Sequence, residues 1–183
     1  MSMRNAVHEL QQIKNRVFTQ EHYQIHKGNS FNVVIDDDAM SDGDLLALGF
    51  KTGTGECHLI MGVTSKAAAR VTLYEDATWS GGQIGTQVPI YNRNRRSSNM
   101  SNLYDDWRES GVWESSGMVK AGMSGIAGTD IHHLHMFGAK AWEHQQARGS
   151  AEFVLDTGTQ YAIVFEAKAD TNAGHISLNW NEY

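Results

Sequence analysis

The sequence predicts an all-β protein, an antiparallel β-sandwich or jelly roll that is preceded by an N-terminal amphipathic helical arm. Three observations predict this fold. Apolar residues recur at helical spacing only near the start of the 183-residue chain. About nine short runs with strand periodicity follow, each bounded by Gly, Asn, Asp or Ser. The 18 glycines against one proline are typical of a chain with many turns.

The first segment is predicted to be a helix because its apolar residues form one stripe, which comprises Met3, Val7, Leu10, Ile13, Val17 and Phe18. Residues 20–30 show neither helical nor strand periodicity and are predicted to be a connector. The arm and connector therefore cover residues 1–30, and a single β-sandwich domain covers residues 31–183. The helix either packs on its own domain or docks on a neighbouring subunit. In the second case Val7, Leu10 and Val17 are interface residues.

The predicted strands lie at residues 31–35, 45–50, 56–63, 69–74, 87–91, 131–136, 151–155, 161–166 and 175–180. In the last two runs, large apolar side chains share one strand face, which predicts core strands. The connectors around residues 156–159 and 170–174 are rich in turn residues, so the end of the chain is predicted to be an antiparallel meander. The polar stretch 92–128 is predicted to be a long functional loop.

The formal net charge of −6 argues against binding of nucleic acid or of an anionic membrane by bulk electrostatics. The first residues contain no apolar leader segment, and no run of the sequence approaches 18 apolar residues. We therefore expect no nucleic-acid partner, no membrane partner, and residence in the cytosol unless the protein leaves on a particle.

The single cysteine, Cys57, lies in a strand-like run and is predicted to be a small core residue rather than a nucleophile. His58 would then point to the opposite strand face. The sequence also contains no phosphate-binding glycine loop and no Gly-x-Ser-x-Gly elbow. These observations predict a protein without enzymatic activity and without a cofactor.

A histidine cluster offers a metal site as an alternative. His133 and His135 would project from one strand face, where both imidazoles could bind one metal ion. With Glu143 this spacing resembles the cupins, a jelly-roll family that binds metal through His-x-His and a following glutamate. The gap of seven residues before Glu143 is longer than in that family, and its second motif is not evident. Surface histidines without metal are the competing interpretation.

Two further groups are candidate interface residues. Arg93, Arg95 and Arg96 form a basic cluster on an acidic chain, and planar guanidinium groups suit pairing with carboxylates of a neighbouring protein. A solvated loop is the alternative interpretation. Trp107 and Trp113 lie in the long polar stretch, where aromatic side chains anchor protein contacts or stack on sugars.

The run Pro89-Ile-Tyr-Asn-Arg-Asn-Arg95, the run Glu152 to Tyr161 and the final Ile176-Ser-Leu-Asn-Trp-Asn-Glu182 resemble a group of bacteriophage virion proteins. In that group an Asn-x-Asn-Arg element precedes a variable middle, and the chain ends in a Trp-x-Glu strand. The resemblance covers residues 31–183, although the turn at residues 156–159 and Asn181 depart from the pattern.

The resemblance implies a structural protein of the phage head, a decoration or cement protein of jelly-roll type. It would bind the major capsid protein and would also associate with itself, with a trimer as the favoured oligomer and a dimer as the alternative. The expected location is the capsid surface of the virion, after assembly in the host cytoplasm. A receptor- or glycan-binding module of the tail or fibre is the alternative, and a cupin-like metal-binding protein is a third.

Overall fold

The chain forms a two-layered β structure in the computed structural model, which describes residues 22–79, 84–103, 118–137, 143–146 and 152–183. Within these ranges a short helix, α1, covers residues 22–27. The strands of the same ranges are β1 (Ser30–Met40), β2 (Leu45–Lys51), β3 (Cys57–Ser65), β4 (Ala69–Trp79), β5 (Ile84–Pro89), β6 (Tyr91–Asn92), β7 (Met118–Met123), β8 (Ile126–Met136), β9 (Glu143–Gln146), β10 (Glu152–Leu155), β11 (Gln160–Ala167) and β12 (Asn172–Glu182).

The strands pair into two antiparallel sheets. The first sheet has the order β10-β3-β12-β1-β6, and β9 pairs with the second half of β3. The second sheet has the order β5-β7-β2-β11-β4-β8. Without the additional strands, the two sheets have the orders β10-β3-β12-β1 and β8-β4-β11-β2. Consecutive strands of these eight alternate between the sheets, except that β4 and β8 are neighbours in the second sheet. This is the strand order of a jelly roll, so the predicted all-β sandwich class is confirmed.

The core lies between the two sheets, where alternate side chains of each strand meet. On β11 the inward residues Tyr161, Ile163 and Phe165 are fully buried. The inward residues of β12 are equally buried, and its Trp180 stacks on Phe31 of β1 with ring centroids 5.9 Å apart. The prediction that these two strands belong to the core is therefore confirmed.

A smaller apolar cluster covers part of the outer face of the second sheet. Ala47, Val164 and Met123 are buried there, beside the partly buried Trp79. A Cβ atom at Gly49 would lie 2.6 Å from the methyl group of Met123 and 3.0 Å from the Trp79 ring. Glycine at this position therefore allows the two large side chains to lie directly on the sheet.

An excursion from the jelly roll separates β4 from β8. Trp79, the last residue of β4, pairs with Ile126, the first residue of β8. The segment 80–125 thus leaves and re-enters the second sheet at two neighbouring positions. Within it, β5 and β7 extend the second sheet beyond β2, and β6 pairs with β1 of the first sheet.

All nine predicted strands are present, whereas two other predictions are wrong. The last strands do not form a meander, because β10 and β12 belong to the first sheet and β11 to the second. The stretch 92–128 is not one long loop, because it contains β7 and the start of β8. Part of the predicted connector is helical, in α1, and the predicted arm over residues 1–18 lies outside the described residues. No described helix is long and apolar enough to cross a membrane.

Asn172 holds the turn between β3 and β4 and is fully buried. Its Oδ1 accepts hydrogen bonds from the Ala67 amide at 2.7 Å and the Ser65 hydroxyl at 3.2 Å, and its Nδ2 donates to the Ala68 carbonyl at 2.9 Å. One side chain therefore satisfies the Ala67 amide and shares the Ala68 carbonyl with the Lys168 amide.

We expect Asn172→Ala to lower the free energy of unfolding by roughly 2–4 kcal/mol, since it leaves buried backbone groups without partners. Asn179→Ala is the matched control, because Asn179 lies on the outer face of the same strand and is only half-buried. Urea denaturation followed by tryptophan fluorescence measures both. An equal loss in the two variants would contradict the role given to Asn172.

Cys57 is buried, as predicted, and its pKa is raised well above the usual range of a thiol. Burial removes the hydration of the thiolate, and the nearby Glu182 carboxylate disfavours the negative charge further. We expect the native thiol to remain unreactive towards Ellman's reagent at neutral to mildly alkaline pH. One thiol per chain should react after unfolding in urea, and fast reaction of the native protein would contradict this burial.

Candidate interface at one end of the sandwich

The predicted basic element lies in a turn that packs on α1. Its first residue, Asn92, ends β6, which pairs with the start of β1. The Asn94 carbonyl then accepts a hydrogen bond from the Ser97 amide at 2.9 Å, which closes the turn. The sequence folds this way because Asn side chains readily accept hydrogen bonds from backbone amides two residues ahead. The Asn92 Oδ1 atom accepts a hydrogen bond from the Asn94 amide at 2.8 Å, and the Asn94 Oδ1 atom accepts one from the Arg96 amide at 3.1 Å.

The same turn caps the helix. The last carbonyl groups of a helix have no partner within it. Here the side-chain amides of Asn94, Asn99 and Asn92 donate to the carbonyls of His26, Lys27 and Gly28, at 3.0, 3.2 and 2.7 Å. The turn and α1 are therefore fixed to each other by three hydrogen bonds.

A buried carboxylate joins these elements to the end of β12. The Glu182 Oε1 atom accepts hydrogen bonds from the Ser101 hydroxyl at 2.5 Å and from the Trp180 indole at 3.0 Å, and both oxygens lie 3.0 Å from the Asn102 amide. The Glu182 amide in turn donates to the Asn29 carbonyl at 2.9 Å. This network holds residues 97–103 against the sandwich.

Exposed cationic and aromatic side chains collect on the outside of this framework. We call them the basic-aromatic patch, which comprises Tyr23, His26, Lys27, Tyr91, Arg95 and Arg96. Two of its cations lie over rings: the Lys27 Nζ atom is 4.7 Å from the Tyr23 ring centroid, and the Arg95 guanidinium carbon is 5.5 Å from that of Tyr91. These contacts orient the two cations, while Tyr23 and Tyr91 remain about half exposed.

The three predicted arginines have different environments. Arg93 is half-buried, and its guanidinium donates to the Ser30 hydroxyl at 3.2 Å while its amide donates to the Ser30 carbonyl at 2.8 Å. Arg93 therefore helps to fix the turn to β1. Arg95 and Arg96 are exposed and belong to the basic-aromatic patch.

The opposite end of the first sheet is acidic. β1 begins beside the patch at Ser30 and reaches exposed Asp36, Asp37 and Asp38 near its other end. Eleven residues of strand span roughly 33 Å at 3.3 Å per residue. The amide of Asp42 donates to the Asp170 carboxylate there at 3.1 Å. Asp36, Asp37 and Asp38 therefore lie at the end of β1 that is away from the patch, and exposed Lys66 and Lys168 share that end.

The predicted histidine cluster is divided between the two sheets. His133 and His135 lie side by side on the exposed face of β8, with ring centroids 5.6 Å apart. The Nδ1 atom of His133 is 3.5 Å from the Asp130 carboxylate. The backbone of Glu143 pairs instead with Ser65 in the first sheet. Within the described ranges no group of three or more His, Cys, Asp or Glu residues is placed to hold a metal ion.

The remaining predicted interface residues are Val7, Leu10, Val17, Trp107 and Trp113. All five lie outside the described residues. They remain predictions from the sequence.

Several contributors to the site were not predicted. Tyr23, His26 and Lys27 were assigned to a connector without a role, although their spacing of three and four residues fits one helix face. Tyr91 was treated as a strand residue only. Glu182 carried no signal of burial, since a glutamate near a strand end is ordinarily solvated.

Comparisons of the chain with protein-family models, with curated proteins and with solved structures found no match. The resemblance to phage virion proteins therefore depends on the short motifs quoted above.

Gly28 sets the position of the patch, because it ends α1 with a φ of +78° and is packed against the turn. A Cβ atom there would lie 2.1 Å from the Ser97 hydroxyl oxygen and 2.6 Å from the Ser97 Cβ. Gly43 has a similar φ of +88°, but a Cβ atom there would contact nothing within 4 Å.

We therefore expect Gly43→Ala to lower the free energy of unfolding by about 1 kcal/mol through backbone strain alone. Gly28→Ala should cost roughly 2–4 kcal/mol because Ser97 must move as well. Thermal denaturation of the two variants and of the original protein measures both losses of stability. If both variants are destabilised equally, the turn does not pack on Gly28 as described.

Proposed function

We propose that this protein is a non-enzymatic phage capsid decoration protein, which docks its basic-aromatic patch on an acidic area of the major capsid protein. The observation that carries the proposal is the patch itself, an exposed group of cations and aromatic rings on a rigid frame of hydrogen bonds. The short motifs shared with phage virion proteins support the choice of partner. The jelly-roll architecture supports it by analogy of fold, since many capsid and lectin domains have that architecture.

The chemistry of the patch suits a protein partner. Arginine and tyrosine are enriched among the residues that contribute most to interface energy. The fork of a guanidinium binds a carboxylate through two parallel hydrogen bonds, which Arg95 and Arg96 are free to offer from their exposed positions. Since Arg95 is already oriented by the Tyr91 ring, less side-chain entropy is lost on docking.

The frame beneath the patch supports the same proposal. Asn92, Asn94 and Asn99 use their amides to fix backbone segments, and Glu182 joins the 97–103 segment to β12. An interface built on such a frame changes shape little on binding. A cement protein must also bridge capsid subunits. A symmetric oligomer would repeat the patch around its axis; we favour a trimer, with a dimer as the alternative.

The test mixes purified protein with expanded, undecorated capsids, pellets the particles and counts bound copies per particle. We expect saturable binding at a symmetry-allowed ratio. Arg95→Glu/Arg96→Glu should weaken binding by roughly 100-fold, since two cations of the interface are reversed. Binding should also weaken between about 50 mM and about 500 mM NaCl.

The matched control is Lys66→Glu/Lys168→Glu, which changes the net charge equally. Both of these lysines are exposed at the acidic end of the sandwich. This variant should bind like the original protein. Equal weakening in the two double variants would mean that overall charge, not the patch, governs binding. Absence of any binding to capsids would overturn the proposed function.

A further inference from the structure

A pocket opens beside the basic-aromatic patch, between the start of β1, the 97–103 segment and the end of β12. Its volume is about 300 Å³, which matches the lower range of small-molecule sites. Three asparagines, Asn29, Asn99 and Asn102, line it together with the carboxylate-bearing Glu182. Asn99 and Asn102 are exposed, Asn29 is half-buried and Glu182 is buried.

Glu182 supplies a charged acceptor inside the pocket. Its residue is 7% exposed, and its three donors, from Ser101, Asn102 and Trp180, are all uncharged. Among the described residues, Oε2 accepts only the hydrogen bond that the Asn102 amide shares with Oε1. No lysine, arginine or histidine of the described ranges forms an ion pair with it within 4.0 Å. A buried carboxylate that is not paired gains much from a further donor.

The asparagines supply both donors and acceptors. The Nδ2 atom of Asn99 donates to the Lys27 carbonyl and to the Asn29 Oδ1 at 3.4 Å. The Nδ2 of Asn29, the Oδ1 of Asn99 and the side-chain amide of Asn102 make no other hydrogen bond within the described part of the chain. The pocket therefore offers donors and acceptors together, which is what a hydroxyl group uses, since it is both.

Apolar groups complete the lining. Phe31 is buried at 2% exposure, whereas Met100 and Tyr183 are exposed at 66% and 48%. A ligand with a C–H face can contact these side chains while its polar edge reaches the amides and the carboxylate. A saccharide ring has one such face and a rim of hydroxyls.

We infer that this pocket binds a neutral polyhydroxylated ligand, the terminal monosaccharide of a glycan. The Glu182 charge disfavours an anion. A cationic ligand could pair with that carboxylate, but it could not use the side-chain amide donors of Asn29 and Asn102. A saccharide site would be a second binding activity, separate from docking on a capsid and at the same end of the sandwich.

The test uses the full chain labelled with ¹³C in the methionine methyl groups, followed by NMR. D-glucose, D-galactose, D-mannose and N-acetyl-D-glucosamine are titrated separately to about 50 mM, since a single sugar ring with few contacts binds in the millimolar range. We expect at least one sugar to shift the Met100 methyl signal saturably. The signals of buried Met40 and Met61 should not move.

Two variants locate the site. Tyr183→Ala and Asn102→Ala should each weaken the binding of that sugar about tenfold, since each removes part of the lining. Phe137→Ala is the matched control, because Phe137 is an aromatic residue exposed to 79% that follows β8 and lies outside both the patch and the pocket lining. It should leave the affinity unchanged. Neither Tyr183 nor Asn102 has a fully buried side chain, so both variants should fold, which methionine spectra of the free proteins will check.

Three results would overturn the inference. The first is that no sugar shifts the Met100 methyl signal. The second is that a sugar shifts it equally in Tyr183→Ala, in Asn102→Ala and in the original protein. The third is that Nα-acetyl-lysine amide, used as a cationic probe, shifts the signal while the sugars do not. The last result would instead assign the pocket to a lysine side chain of a protein partner. Since capsids take no part in this experiment, its failure leaves the capsid-docking test unaffected.

Discussion

The buried Glu182 carboxylate receives donors from the 97–103 segment and from β12, while the Glu182 amide reaches Asn29 between α1 and β1. These partners are far apart in sequence. Removing a carboxylate from water is costly unless hydrogen bonds replace its hydration, so the segments must assemble around it together. The position of α1, the shape of the pocket and the support of the patch all follow from this requirement.

A second constraint is the supply of partners for backbone groups outside the sheets. Tight turns leave backbone amides and carbonyls that no neighbouring strand can pair. In this chain asparagine meets the need repeatedly: Asn172 in the β3–β4 turn, and Asn92, Asn94 and Asn99 around α1. An asparagine side chain has two N–H donors and a carbonyl acceptor, whereas a serine hydroxyl has one donor and an ionised aspartate has none, so asparagine can link two segments through several hydrogen bonds.

Strand periodicity was sufficient to predict the nine strands whose faces differ in polarity, such as β11 and β12. It could not identify β7, whose short run contains lysine, alanine and glycine, or β9, whose four residues are all polar. It also could not assign strands to sheets. The turn residues around Asp156 permit a hairpin, but β10 and β11 pair with β3 and β2 in different sheets, and long-range packing decides that choice.

The site was predictable in part. A cluster of arginines on an acidic chain pointed to Arg95 and Arg96, whereas the sequence could not distinguish Arg93, which the fold turns towards Ser30. The contribution of α1 depends on contacts between residues about 70 positions apart, such as the one between Asn94 and His26. Local patterns do not contain that information.

The pairing of Trp79 with Ile126 has a consequence for how this chain can diverge. Because residues 80–125 start and finish at adjacent points of one sheet, the entropy of closing that excursion rises only slowly with its length, by about 0.6 kcal/mol for each doubling. Insertions or deletions there, outside the 97–103 segment whose donors Glu182 requires, would leave the register of the eight jelly-roll strands unaltered. The patch residues that this excursion contributes, Tyr91, Arg95 and Arg96, can thus vary at a different pace from the scaffold, so related chains should share the scaffold while differing at these positions.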